Sequence, residues 1–266
     1  MKKKLIFLLI LIFILFNSRI SLYGSEFVID ISRASEGVVE VKGDPKGKLV
    51  RVTIEKEATR ERYVYLLSST NQNIFPLQMG DGQYKITVLK NIVRNELMKV
   101  AAKTVYVSGL DESKLFTRSI QLIDFANSEI AIPSIHNMVA KAATDEEKVS
   151  IVYEYIINNI DYDFEMGQAL PFDYHPIIDY TYVTKKGICY DYASLMAGAL
   201  RSKGIPAKLQ KGYSAKIPGE FHAWNEIYIG KSWFKVDTTY DRQLKLADLS
   251  VTMVKNPELF KVLREF

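Results

Sequence analysis

Apolar and polar residues alternate in short runs over the first hundred residues. The alternation is regular at 49–55, where valine or isoleucine occupies every second position. A period of two places such side chains on one face of a strand. Turn-forming glycine, asparagine and aspartate residues at 43–47, 71–73 and 80–82 punctuate the strand-like runs, as expected of several short strands in a sandwich. The predicted strands are 38–42, 49–55, 63–67 and 84–89.

The spacing becomes helical in the second half of the chain. Thr144 and Glu147 have the sequence of a capping box, and the residues after them carry an apolar face. A second predicted helix opens at Cys189 and ends at Gly204 and Pro206. Between the two helices, 161–187 is interpreted as a long aromatic loop without structure of its own, a type that often lines binding sites.

Strands return after the second helix. Three are predicted at 207–213, 222–229 and 232–237, and a Gly230-Lys231 turn joins the last two. Residues 244–266 predict a short terminal helix. The whole pattern predicts an α+β fold, with a small β-sandwich-like accessory domain at 25–110 and a second domain at 111–266.

The N-terminal residues resemble an export signal. Three lysines precede an unbroken apolar run of 12 residues at 5–16, which is shorter than the roughly 20 residues of a spanning helix. Cleavage after Gly24 would make 1–24 a signal peptide, whereas retention would leave an N-terminal anchor. The expected location is therefore secreted or cell-surface, with anchoring by the uncleaved segment as the alternative.

The charge changes once this segment is set aside. Residues 1–24 hold four of the 35 basic residues and none of the 31 acidic ones. The remaining chain is formally neutral, so the positive net charge gives no reason to expect a nucleic-acid partner. No other stretch is apolar enough for a stable membrane span after signal cleavage.

Cys189 is the single cysteine of the chain. A lone thiol in an exported protein is a liability unless it is buried or used. At the predicted start of a helix, free backbone N–H groups and the positive end of the helix dipole favour its thiolate. A structural cysteine does not need this position, although a buried core cysteine remains the alternative.

His222 and Asp237 fall on the same predicted strand face. If Gly230-Lys231 is a two-residue turn, Ile229 pairs with Ser232, and Asp237 projects beside His222. An aspartate there could accept an imidazole N–H and leave the other ring nitrogen facing Cys189. Either residue alone is more often structural than catalytic.

Three blocks of sequence resemble the transglutaminase-like superfamily. They are GICYDYASL at 187–195 with LRSKGIPA at 200–207, HAWNEIY at 222–228, and WFKVDTT at 233–239. The blocks occur in the family's order and spacing, and the compact pattern is similar to that of bacterial secreted cysteine hydrolases. The resemblance implies a papain-like transglutaminase core.

The resemblance also implies roles for particular residues. Cys189 would be the nucleophile, His222 the general base and acid, and Asp237 the residue that orients the histidine. The Cys189 backbone N–H is one oxyanion donor, and Tyr162 and Gln168 are candidates for the second. Trp224 is a candidate for a wall of the substrate site. No cofactor is expected, and His136 and His175 lack partners at metal-ligand spacing.

The predicted function is amide or peptide hydrolysis by a Cys-His-Asp triad. The expected partner is a protein or peptide substrate, with the cell wall as one possible setting. Two alternatives stay open: a protein-glutamine cross-linking enzyme, and a non-catalytic cell-surface binding module that keeps the fold.

Overall fold

A computed structural model describes residues 26–69, 72–92 and 96–266. The proposed export signal at 1–24 lies outside the described residues. Within them, no helix is both long and apolar enough to cross a membrane.

The first part of the described chain forms two antiparallel sheets. One has the strand order β1-β2-β5 and the other β4-β3-β6-β7. The predicted alternation holds, because Val50, Val52 and Ile54 are buried while the residues between them are partly exposed. The strands are β1 (Val28–Asp30), β2 (Val38–Lys42), β3 (Val50–Lys56), β4 (Arg62–Leu66), β5 (Ile74–Pro76), β6 (Gly82–Asn91) and β7 (Leu97–Val107).

The second part combines helices with a five-stranded antiparallel sheet of order β13-β12-β11-β10-β14. The helices are α1 (Glu112–Leu115), α2 (Ala131–Met138), α3 (Asp145–Asn159), α4 (Phe164–Gln168), α5 (Ile178–Thr184), α6 (Cys189–Arg201) and α7 (Thr238–Leu246). The strands are β8 (Asp161–Tyr162), β9 (Lys186–Gly187), β10 (Ala207–Ser214), β11 (Ile217–Ile229), β12 (Ser232–Val236), β13 (Val254–Lys255) and β14 (Phe260–Glu265). The predicted α+β class is confirmed.

Helix α6 is the central element of this half. Its residues from Tyr190 to Arg201 are all buried, as expected of a helix packed on every side. Asn225 of β11 donates from Nδ2 to the Ala193 carbonyl at 2.9 Å, which ties the middle of the helix to the sheet. Ser194 Oγ donates to the Leu122 carbonyl at 2.8 Å on another side.

The structure corrects two sequence predictions. The segment 161–187 contains two short helices, α4 and α5, and the two-stranded pair β8–β9, whereas the sequence predicted a loop. The predicted terminal helix is also wrong, because Val254–Lys255 and Phe260–Glu265 are strands that extend the sheet on opposite edges. Both errors concern elements of two to seven residues, which are too short to show a clear period.

Candidate active site

Local contacts at the start of α6 hold Cys189 at its first turn. The Asp191 carboxylate turns back and accepts the Ile188 N–H at 2.9 Å, which satisfies a free donor of the helix start. Gly187 leaves room for this turn, since an added Cβ would lie 2.7 Å from the Asp191 Cβ. The Cys189 side chain remains partly exposed.

The β8–β9 pair brings Tyr162 to the same place. Tyr162 pairs in parallel with Gly187, two residues before the cysteine. The bond from the Asp163 N–H to the Gly187 carbonyl, at 2.9 Å, fixes that register. A residue 27 positions upstream in sequence thereby becomes a neighbour of Cys189.

His222 and Asp237 meet as the strand geometry predicted. Ile229 pairs with Ser232 across the turn, and the ladder runs to Asn225 and Val236, so Asp237 follows beside the His222 face. His222 Nε2 lies 2.8 Å from Asp237 Oδ2, and both residues are buried. Nδ1 is therefore the ring nitrogen left for Cys189.

The surroundings of His222 favour its protonated form. Burial by itself lowers the pKa of His222, but the charge of Asp237, its hydrogen bond and the hydrogen bond to Cys189 together raise it to about 10. An imidazolium held between a carboxylate and a thiol is the arrangement that supports a thiolate–imidazolium pair.

A second contact fixes the Asp237 carboxylate. Asp237 is the N-cap of α7, and its Oδ1 accepts the Tyr240 N–H at 3.0 Å. One oxygen thus caps a helix while the other binds the imidazole. The sequence interpretation missed this helix, although aspartate is among the preferred residues at a helix N-cap.

Two clefts meet at His222. The smaller one, about 290 Å³, is lined by Cys189, and the larger one, about 650 Å³, is not. The residues that line both are Tyr162, Gly167, Phe221 and His222. The smaller cleft continues along Leu170, Pro171, Phe172 and Tyr174, and the larger one along Phe164, Gln168, Glu220 and Tyr240.

The two candidates for the second oxyanion donor differ in position. Tyr162 lines both clefts, and burial, followed by the charge of Cys189, raises its pKa to about 12, so the hydroxyl keeps its proton. Gln168 lines only the cleft that Cys189 does not reach. The geometry favours Tyr162.

Trp224 does not line either cleft. It is fully buried, and its Nε1 donates to Gln210 Oε1 at 2.9 Å. Its ring lies 6.1 Å from that of His222 and packs on Phe260. The structure thus places Trp224 behind the imidazole and not in the wall of the substrate site, because its indole N–H finds its partner within the sheet.

Lys211 is a neighbour of the cysteine that the sequence did not indicate. It lines the smaller cleft, and its Nζ lies 3.0 Å from the centre of the Tyr190 ring. Burial lowers the pKa of Lys211 to about 7, against the opposing charges of Cys189 and Asp191. Lys211 pairs with Ala223 across the sheet, and Ala223 is next to His222 in sequence, so this strand pairing brings Lys211 to the site.

The other two histidines lie elsewhere. His136 Nε2 is 2.9 Å from Ser202 Oγ, and burial lowers its pKa. His175 lines a separate groove between the two halves of the molecule, and burial lowers its pKa also. Neither residue lines the two clefts at His222.

Comparison with known proteins gives two curated relatives, one described as a peptidase and one described as uncharacterized. The mouse (Mus musculus) kyphoscoliosis peptidase is 28% identical over 147 residues, which cover 50% of this chain and 22% of that protein. The uncharacterized protein YebA of Bacillus subtilis (strain 168) is 26% identical over 205 residues, covering 65% of this chain and 26% of that protein. The chain therefore spans only about a quarter of the length of these relatives.

Solved structures with some similarity include one from Cytophaga hutchinsonii, described as a candidate cysteine protease. It has 18% identity and a TM-score of 0.42, and the alignment covers 71% of each chain. A structure described as a TGase has 23% identity and a TM-score of 0.35, covering 57% of this chain and 43% of that one.

A family model matches the region that carries the site. Residues 134–238 match the model of the Transglutaminase-like superfamily. The match begins in α2, includes Cys189 and His222, and ends one residue after Asp237. The described structure has the mixed helix and sheet composition expected of the family's papain-like core. Residues 134–238 are therefore similar to the Transglutaminase-like superfamily over the part of the chain that carries Cys189, His222 and Asp237.

Proposed function

We propose that this protein is a cysteine hydrolase that cleaves amide bonds of protein or peptide substrates. The observation that carries the proposal is the position of His222, hydrogen-bonded through Nε2 to Asp237 and on its other side to Cys189. A nucleophile, a base and a group that orients the base are the three parts that cysteine catalysis needs.

The reaction follows from these positions. The Cys189 thiolate adds to the carbonyl carbon, and the carbonyl oxygen becomes an oxyanion. His222 gives its proton to the amine as the C–N bond breaks, which leaves a thioester on Cys189. His222, now neutral, takes a proton from water as the water attacks the thioester, and the thiolate is released with the carboxylic acid.

Two donors suit the oxyanion. The Cys189 N–H lies at the start of α6, where backbone donors are free and the helix dipole favours negative charge. The Tyr162 hydroxyl is the second, because it lines both clefts and stays protonated at neutral pH.

A Tyr162→Phe variant tests the second donor. We expect kcat to fall by about 10²-fold to 10³-fold, with a smaller change in KM, because the lost bond strengthens only as charge develops on oxygen. Tyr180→Phe is the matched control, since Tyr180 is exposed and lines neither cleft. Equal losses in both variants, or no loss in Tyr162→Phe, would place the donor elsewhere.

Amine transfer is the second candidate function. A cross-linking enzyme must keep water from the thioester, since water at about 55 M competes by concentration. Cys189 is partly exposed, and both clefts at His222 are open to solvent, which supports hydrolysis. Aromatic residues such as Tyr162, Tyr190 and Phe221 nevertheless surround the site and give the alternative a physical basis.

A competition assay distinguishes the two reactions. A glutamine-bearing protein is supplied with a labelled primary amine, and ammonia release is measured against incorporation of the label. We expect ammonia release to exceed incorporation at millimolar amine. Excess incorporation would favour cross-linking, and no reaction at any amide, together with slow alkylation of Cys189, would favour a binding module.

Export belongs to the same proposal. The basic and apolar residues at 1–24 support secretion or placement at the cell surface, with the uncleaved anchor as the alternative. A protein or peptide substrate outside the cell, in the cell wall or free, would suit a secreted hydrolase.

A further inference from the structure

A third groove leads away from the cysteine. It has a volume of about 580 Å³ and lies between the sheet that contains β3 and β4 and the 171–177 segment. Pro171 and Tyr174 line both this groove and the smaller cleft at Cys189, so the two spaces adjoin. The opposite wall comes from the chain around the start of β3 and the end of β4, namely 45–50 and 66–69.

Both walls of the groove have contacts that hold them. In the 171–177 wall, the Tyr174 hydroxyl donates to the Asp191 carboxylate. Gln121 reaches across from the second half, and its Nε2 donates to the Leu66 carbonyl at 2.7 Å. Its N–H donates to the Ile74 carbonyl at 2.9 Å. Tyr65 of β4 also packs edge-on against Phe266, with ring centres 6.1 Å apart. The groove is therefore a fixed feature of the fold, as expected of a preformed binding site.

Exposed apolar side chains border the path from the cleft to the groove. Leu170 is 43% exposed, Phe172 is 79% exposed and Ile177 is 48% exposed. Contiguous apolar surface beside a cleft is typical of a binding surface. Lys48 and Asp173 line the groove as well, so its charged groups have both signs, which suits a chain of mixed sequence better than a small ion.

The two clefts at His222 differ in which half of a substrate each would hold. In the proposed reaction the acyl half stays on Cys189 and the amine half leaves with a proton from His222. Cys189 lines the smaller cleft, which adjoins the groove, and does not line the larger one. The acyl half therefore points toward the groove and the amine half into the larger cleft.

We propose that the groove binds the acyl-side stretch of an extended polypeptide substrate, so that the β4-β3-β6-β7 sheet and the chain next to it supply part of the substrate site. This inference rests on the proposed function for the direction of the chain. The smaller cleft alone has about the volume of the smallest ligand pockets, and the adjoining groove is about twice as large. A polypeptide longer than one or two residues would thus continue past Tyr174 into the groove.

Protection of Cys189 from alkylation tests the groove without requiring turnover. Cys189 is the only cysteine, so iodoacetamide labelling reports on this one side chain. The probe is a pool of random peptides of about twelve residues, which at roughly 3.3 Å per residue can reach from the cysteine along the groove. In wild type we expect the pool to slow alkylation, whereas a mixture of free amino-acid amides should not.

Lys48→Trp places a large side chain in the groove from the wall of residues 45–50, and Asp173→Trp does the same from the wall of residues 171–177. We expect each to weaken protection by the peptide pool by about tenfold, a change of about 1.4 kcal/mol. Lys85→Trp is the matched control, because Lys85 is exposed on β6 and does not line the groove. Its protection should equal that of wild type.

The outcomes separate the two proposals. Equal protection in the wild type and both groove variants, or no protection of the wild type by the pool, would overturn the groove as a substrate site. Protection is expressed relative to each variant's own alkylation rate without peptide, and that rate, like hydrolysis of a short amide, should be unchanged in Lys85→Trp. If the wild type hydrolyses no amide, the proposed function is overturned. Protection of Cys189 by the peptides would still test whether the groove binds them.

Discussion

Replacing Cys189 with alanine should abolish amide turnover and leave the protein folded. We expect kcat to fall by 10⁴-fold or more, as removal of a nucleophile does in other triad enzymes. The free energy of unfolding should change little, because Cys189 is partly exposed at a helix start and its removal opens no closed cavity. His222→Ala should be nearly as damaging to kcat.

The measurement pairs steady-state kinetics with thermal unfolding followed by circular dichroism. A midpoint close to that of wild type shows that lost turnover reflects chemistry and not unfolding. The rate of uncatalysed hydrolysis sets the lowest kcat that the assay can measure. Full turnover by Cys189→Ala would eliminate the mechanism, since no other thiol is present.

Asp237→Asn should lower kcat by about 10³-fold to 10⁴-fold, less than loss of the cysteine or histidine. Asparagine keeps the size of the side chain but loses the charge that opposes the effect of burial on His222. The histidine should then lose its proton at a lower pH. The alkaline limb of the activity profile should move toward neutrality, a shift that loss of packing alone would not produce.

The same variant should change how stability depends on pH. The pKa of His222 is raised to about 10 in the folded protein, whereas an unfolded histidine titrates near about 6.5. The stabilisation is therefore fully present below about pH 6.5 and is lost as the pH rises toward about 10, because the folded state alone retains the proton in that range. In Asp237→Asn this decline should be smaller.

Urea unfolding at several pH values measures the decline. Asp248→Asn is the matched control, because Asp248 is exposed and follows α7. The control should reproduce the wild-type dependence. An Asp237→Asn curve parallel to that of wild type from pH 6 to 10 would mean that Asp237 does not hold the proton on His222.

The register of the β11–β12 hairpin could be predicted because one turn determines it. Gly230 and Lys231 have the positive φ angles of a two-residue hairpin turn. Once the turn is located, the period of two places His222 and Asp237 on one face. The capping box at Thr144 and the start of α6 at Cys189 likewise depend on a few local residues, and both are confirmed.

Contacts between distant segments could not be predicted in this way. Tyr162 reaches the cysteine through a two-residue parallel pair, which leaves no periodic signal. The strand β14 is placed by its partner β10, where an added Cβ at Gly212 would lie 2.0 Å from the Lys261 carbonyl oxygen. The sequence offers a glycine there but does not identify the backbone that comes close to it.

The two bonds of Asp237 have an evolutionary consequence. A mutation that removes this carboxylate loses the partner of His222 and also the cap of α7, a contact whose loss typically costs about 1 kcal/mol. Within the described residues, the Cys189 side chain caps no helix, and its hydrogen bond is to His222. In a lineage that loses catalysis and keeps the domain for binding, we expect Cys189 to be substituted before Asp237. An aspartate at this position is therefore by itself a poor marker of an active enzyme.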